Sequence, residues 1–280
     1  MKGNGKGRNL IKDRNGIPRS GCIFKLCGYG QHNSKINGLQ EWREKNLENT
    51  FKPATIPGYI PNVLRAFPVT LEILLISLLI SLALGAFVTA AGIGKRKWPK
   101  AIAGGYIAFM RGIPTLVLIF LIYLGLPQVA QSVGIDLSGV SKTVFIVACL
   151  SLSSSANMAE MMRASYLAVD KGQREAAYSV GMKEFTAFRR IIFPQAFGIA
   201  IPALGNNIIM LFKDTSLAFA IGVIDLMGKA RAISSASYGA NRLEVYIATG
   251  IIFWAACIIL EYCSKFTEKI YTKGRKKATS

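Results

Sequence analysis

The chain is predicted to be an all-α integral membrane protein with five transmembrane helices. Three observations lead there. Of its 280 residues, 51% are apolar, and the mean hydropathy is +0.36. Apolar stretches with few charges recur at residues 69–91, 101–128, 143–168, 196–227 and 243–266. Each reaches the ~20 residues that a helix needs to cross a bilayer core. Basic segments separate several of them. Backbone polar groups have no water to bond inside a bilayer, so each stretch must be a helix that satisfies its own amides.

The elements follow in order. Residues 51–65 carry Pro53, Pro57 and Pro61 and are expected along the outer membrane interface, where Tyr59 and Phe67 suit the headgroup level. The first helix closes at Gly92 and Gly94. The second follows Lys95, Arg96, Lys97 and Lys100 and contains Arg111-Gly112-Ile113-Pro114, which puts Arg111 roughly 16 Å along it. The third runs into a polar, basic island at 170–195. The fourth is broken in character by Pro202, Gly205 and Lys213-Asp214-Thr215-Ser216. The fifth leads to a basic tail. The expected organisation is an N-terminal extension (1–52), a membrane domain (53–272) and a C-terminal tail (273–280).

Basic residues set the orientation. They crowd the first connection, the third (Lys171, Arg174, Lys183, Arg189, Arg190) and the C-terminus (Lys265, Lys269, Lys273, Arg275, Lys276, Lys277). The connection at 125–141 has almost none, and that at 228–242 only Lys229, Arg231 and Arg242. The positive-inside rule places the richer segments in the cytoplasm. An odd number of crossings leaves the N-terminus outside.

Residues 1–52 are also basic, and their Gly/Asn/Lys composition is too polar for a core, so they are expected to be largely disordered. They lack the uninterrupted apolar core of a signal peptide. Two readings stand: an extracytoplasmic extension, or an untranslated stretch with synthesis beginning near Leu47. The net charge of +19 sits at membrane-facing loops, so attraction to anionic lipid accounts for it and nucleic-acid binding is not expected. Cys149 and Cys257 lie in apolar stretches as small hydrophobes. Cys22, Cys27 and the sole His32 are too few ligands for a metal site, and none is expected.

The island at 170–195 contains good helix formers up to Ser179, then Gly181, which tolerates a left-handed turn. Phe185, Phe188, Ile191 and Ile192 recur at helical spacing until Pro194, predicting a second short helix. On periodicity alone it reads as a connector on the membrane surface. A docking reading uses Ala176 and Ala177 for close approach by a partner, with Phe185 and Phe188 as its anchors.

Charges inside the spans cost ~2.5–3.5 kcal/mol each on insertion scales, so each needs a reason. Arg111, Glu160, Arg163, Lys213 and Asp214 are the ionisable residues in question, with Asn157, Thr215 and Ser216 adding hydrogen-bonding groups, while Glu72 near the outer end of the first helix is expected to face water. Glu160 and Arg163 stand three apart and can pair on one face. Lys213 and Asp214 are adjacent, point apart and are expected to seek other helices. The set either locks the bundle together or lines a path for a charged solute.

The pattern Glu175-Ala176-Ala177, three residues, Gly181, nine residues, Ile191, one residue, Phe193-Pro194 resembles the EAA loop of ABC-importer membrane subunits, with Phe193 where Leu is usual. Arg111-Gly112-Ile113-Pro114, Ala159 to Arg163 (A-E-x-x-R) and Leu211 to Leu217 (L-x-K-D-T-S-L) resemble motifs of polar amino-acid permeases. Ile113 replaces the usual Thr, and Ser155-Ala156-Asn157 stands where an aromatic often precedes the Glu. The resemblance spans about residues 67–271. It implies the type I ABC-importer permease architecture, with 170–195 docking into an ATPase through Glu175, Ala176, Ala177, Gly181, Phe185, Phe188 and Pro194. It implies an ATPase dimer, an extracytoplasmic solute-binding protein and a second permease copy or paralogue as partners, in the bacterial cytoplasmic membrane. The carried solute would be a polar amino acid or a close analogue such as cystine. No G-x-x-x-x-G-K-[ST] loop is present, so the chain is expected to bind no cofactor and catalyse nothing, with ATP and Mg2+ held by the ATPase. An ion-gradient-driven carrier or channel is the alternative; a docking element for an ATPase would serve no purpose there.

Overall fold

The computed structural model describes residues 51–94 and 96–278. The extension up to Thr50, with Cys22, Cys27 and His32, lies outside the described residues, as do Lys95, Thr279 and Ser280. From Lys52 onward the chain forms a unit of its own. Every regular element among the described residues is a helix, and five helical segments are long and apolar enough to cross a membrane: Phe67–Ile93, Thr115–Ser132, Lys142–Leu167, Glu184–Ile221 and Arg242–Tyr271.

The first span (Phe67–Ile93) packs on the third (Lys142–Leu167) through small residues four apart. Ser77, Ser81 and Gly85 are buried, and Thr89 follows on the same face. A Cβ on Gly85 would come within 2.8 Å of the Met158 Cβ and 3.2 Å of the Ala159 amide nitrogen. Two hydroxyls fasten the seam. Ser81 donates to the Ser77 and Ser151 carbonyls at 2.6 and 3.3 Å, and Thr89 to those of Gly85 and Ala159 at 2.7 and 3.0 Å. Small residues permit this approach where the hydrophobic effect cannot drive helix association.

The second apolar stretch is not one helix. Lys97–Gly112 ends where Ile113 becomes extended, and Pro114 caps the onset of Thr115–Phe120. A residue before proline is driven out of the α region, and Ile113 is that residue. A wide π turn at Leu121–Gly125 then leads into Leu126–Ser132. Arg111 therefore sits in the last turn of a helix, not in the middle of a continuous one.

The fourth span also differs from expectation. Its α-helix Phe193–Thr215 runs through Pro202 and Gly205, and the break falls after Thr215, in the 3-10 turn Ser216–Ile221. Gly222 then adopts φ +81°. Met227 belongs to the next element, and the expected loop at 228–242 is largely a helix, Leu226–Ala236. Its start is fixed by Asp225, which is fully buried and accepts from the Gly228 and Met227 amides at 2.8 and 3.2 Å. Thr70 of the first span accepts the neighbouring Leu226 amide at 3.1 Å. The helix Ile56–Leu64 continues past Pro61 and buries Val63 with Leu226, Ala230 and Val245.

Burial pushes the Asp225 carboxyl up to about 6, against the opposing pull of its amide hydrogen bonds. A raised carboxyl favours folding most below its ordinary range near 3.8, and that contribution is lost as pH rises through about 6. Asp225→Asn keeps the capping acceptor and should flatten this component. The wild-type-minus-variant difference in thermal midpoint, measured in detergent from pH 4 to 7, should fall with rising pH. At the helix seam, Gly85→Leu should destabilise the purified protein by about 1–3 kcal/mol through overpacking, read as a lowered unfolding midpoint, whereas Gly104→Leu, with nothing near its Cβ position, should not.

Candidate functional site

Three of the ionisable residues singled out in the sequence meet at one cavity. It has a volume of about 1540 Å³ and is walled by the first span, the helix Lys97–Gly112, and the third and fourth spans. Glu160 and Arg163 line it and form a two-bonded pair, Arg163 donating from Nε at 3.1 Å and from Nη2 at 2.6 Å. The spacing of three puts both on one helix face. Arg111 lines the same cavity within electrostatic reach of Glu160. The cavity thus carries both signs of charge on an otherwise largely apolar wall.

Tyr106 was not singled out by sequence, yet it sets this wall. Its hydroxyl lies 2.6 Å from Ser155 Oγ and donates to the Leu152 carbonyl at 2.9 Å, fixing the helix that ends in Arg111 against the third span. Arg174 and Tyr166 were also missed. Both line the cavity, and the Arg174 guanidinium lies 5.1 Å from the Tyr166 ring centroid, within cation–π range. A basic residue beside a recognised motif was the only available signal.

The remaining polar residues do not join them. Asn157 and Asp214 line neither this cavity nor the second one described below. Thr215 is buried and donates to the Phe212 carbonyl at 2.6 Å, and Ser216 donates to that of Lys213 at 2.7 Å. Asp214 comes within electrostatic reach of Cys149 on the third span and Lys213 of Cys257 on the fifth.

The segment 170–195 is a helical elbow. Asp170 caps Lys171–Ser179 by accepting the Gly172 amide at 2.7 Å. Gly181 turns the chain at φ +78°, its amide bonded to the Tyr178 carbonyl at 2.9 Å. Glu184–Ala187 follows, then a π turn at Phe188–Ile192. Pro194 does not end this helix but stands in the first turn of Phe193–Thr215, where a missing N–H is tolerated; the wide turn before it makes room for the ring. Ala177 is 2% exposed and is used inside the chain, so of the Ala pair only Ala176 faces out. Phe185 is 73% and Val180 72% exposed, whereas Phe188 is half turned inward, packed on Tyr166 and Phe193 and lining the cavity.

Five spans, a charged cavity among them and a polar elbow joined to its wall define a multi-pass membrane permease. The family described as binding-protein-dependent transport system inner membrane component matches residues 81–269, and the chain belongs to it. The L-cystine transport system permease protein TcyL of Bacillus subtilis (strain 168) is 39% identical over 229 residues, covering 82% of this chain and 95% of that protein. The probable amino-acid permease protein YxeN of the same organism is 39% identical over 215 residues, 76% and 92% of the two chains. A solved amino acid ABC transporter with histidines shares the fold at TM-score 0.70 and 31% identity, covering 79% of this chain and 99% of that one. The MetNI methionine ABC transporter in an inward-facing form, at 16% identity and TM-score 0.56, shares the fold alone. The chain is accordingly a membrane-spanning subunit of ABC-importer type.

If Glu160 and Arg163 act as a pair, Glu160→Gln and Arg163→Gln should not add. A double-mutant cycle on unfolding midpoints should return a coupling of about 1 kcal/mol or less, since both groups face an open cavity.

Proposed function

We propose that this chain is the pore subunit of an importer for a polar amino acid or a close analogue such as cystine, in the bacterial cytoplasmic membrane. The elbow at 170–195 faces the cytoplasm and docks on an ABC ATPase dimer, which binds ATP and Mg2+. A solute-binding protein delivers substrate outside, and a second permease, identical or paralogous, completes the pore. The N-terminus lies outside and the C-terminus inside, following the basic loops. The chain itself catalyses no reaction.

The observation that carries this reading is the elbow. Val180 and Phe185 stand exposed on either side of a left-handed glycine, and aromatic anchors of this kind dominate interface energetics. Glu175 and Ala176 are exposed on the helix before the turn and supply a polar contact and a close-approach point. Behind the elbow, Phe188 and Arg174 reach the cavity, so a push on one is felt by the other. The cavity suits a zwitterion: Glu160 faces an ammonium, Arg111 and Arg163 a carboxylate. The names of the similar permeases, several for amino acids and two for L-cystine, point the same way.

The test is co-purification from native membranes with a C-terminal tag, followed by ATP-driven uptake of radiolabelled L-cystine into proteoliposomes. Wild type should recover an ATPase. Gly181→Pro should lose it, because the proline ring fixes φ near about −65° and cannot adopt φ +78°. Phe185→Ala should weaken recovery without altering the monomer's unfolding midpoint. Recovery of no ATPase by wild type in mild detergent, with gradient-driven uptake by the chain alone, would overturn the importer reading.

A further inference from the structure

A second cavity, of about 990 Å³, lies between the end of the fourth span, the helix Leu226–Ala236 and the start of the fifth span. Lys213, Arg231 and Arg242 line it, and no Asp or Glu does. Among the described residues none of the three forms a salt bridge. Two are oriented by rings instead: the Arg231 guanidinium lies 5.7 Å from the Phe219 centroid and that of Arg242 5.9 Å from Tyr246. Such contacts hold a cation in place without neutralising it.

Lys213 decides what the groove is for. It is exposed, and it precedes the end of its span at Ile221 by about eight residues, most of them in the 3-10 turn, roughly 15 Å along the axis. A lysine at that depth belongs beside water or an anion, not beside lipid tails. Asp214 does not line the groove, and the neighbouring Ser216 hydroxyl is occupied by the Lys213 carbonyl. A phosphate headgroup stays at the interface, above this level. A second copy of the chain seated groove to groove would bring three more cations.

We propose that this groove is a carboxylate-binding entry site on the solute's path, separate from the Arg111–Glu160–Arg163 cavity. The inference rests on the importer reading for its direction of flow. Its consequence is a two-stage selection. The entry groove offers only cations and accepts solutes by their carboxylate, and the inner cavity offers Glu160 as well and tests for an ammonium. Walls of low dielectric around three like charges focus the field on an incoming anion.

Cys257 lines the same groove and is partly exposed, so it reports on the field there. In the reconstituted permease–ATPase complex, with Cys22, Cys27, Cys149 and Cys263 changed to Ser, Cys257 is labelled from outside. The reagents are sulfonatoethyl and trimethylammonioethyl methanethiosulfonate, each normalised to its rate with free cysteine. The anionic reagent should be favoured at least about tenfold. That preference should shrink toward unity in the Lys213→Gln/Arg231→Gln/Arg242→Gln variant and persist in Lys213→Arg. L-lanthionine, a thioether analogue of cystine that cannot exchange with thiols, should slow labelling. Bis(2-aminoethyl) sulfide, the same skeleton without carboxylates, should not. No labelling of Cys257, a ratio near one in wild type, or equal protection by both compounds would overturn the proposal. Failure of L-cystine uptake with the charge preference and lanthionine protection intact would sink the cystine assignment and leave the groove standing.

Discussion

The close approach of the first span to the third is the constraint on which the rest of the molecule depends. Both are apolar, and lipid tails offer no penalty for leaving them apart, so attraction must come from contact and hydrogen bonds. Gly85 lets the backbones meet, and Ser81 and Thr89 donate across the gap to carbonyls of the third span. Those bonds fix rotation as well as distance. Because Thr89 is tied to the Ala159 carbonyl, the next residue, Glu160, is left facing the cavity with Arg163 one turn on. Tyr106 then secures the helix that carries Arg111 to the same span. A seam of small residues thus aims the charged ones.

From this seam a ladder of rings leads to the elbow. Tyr166 at the end of the third span meets Phe188 of the elbow at 6.3 Å, Phe188 meets Phe193 at 5.9 Å, and Phe193 meets Phe197 at 6.1 Å. Phe197 meets Tyr271 of the fifth span at 5.9 Å, and the Tyr271 hydroxyl donates to the Pro194 carbonyl. Three of these pairs are tilted or edge-on and one is stacked, arrangements that aromatic rings favour over face-to-face contact. The elbow is therefore seated on the third, fourth and fifth spans through a continuous run of ring contacts. Its exposed tip, at Val180 and Phe185, has no such internal partner among these rings.

Hydropathy was enough to find five spans, because the energy of leaving apolar side chains in water dwarfs local preferences. It is blind where an element is broken or amphipathic. The Ile113–Pro114 break lies inside one apolar run, so a window average passes over it, although proline's restriction of the residue before it was written in the sequence. The helix Leu226–Ala236 contains Lys229 and Arg231 and reads as a loop by hydropathy; only the Asp225 cap announces it. Pro194 read as a stop because nothing in the sequence reveals the π turn that accommodates it. The Glu160–Arg163 pair was legible because three residues on a helix are always neighbours. Arg111 joining them was not, since that depends on the rotation of a separate helix. Nor could spacing say that Ala177 is buried while Ala176 is free.

The two kinds of charge in the bundle differ in how they are neutralised. Glu160 and Arg163 share one helix, so their pairing survives any movement of the spans relative to one another. A pair split between two moving helices would be broken in one state of a transport cycle, leaving a charge uncompensated in a poorly hydrated site at a cost of several kcal/mol. Pairing within a helix avoids that cost. Lys213, Arg231 and Arg242 have no acidic residue three or four positions away on their own helices. Their stability in the membrane depends on water or on what enters the groove, which makes occupancy by an anion favourable in whichever state exposes them. A fixed pair suits a site that must exist throughout the cycle; unpaired cations suit one that needs to attract.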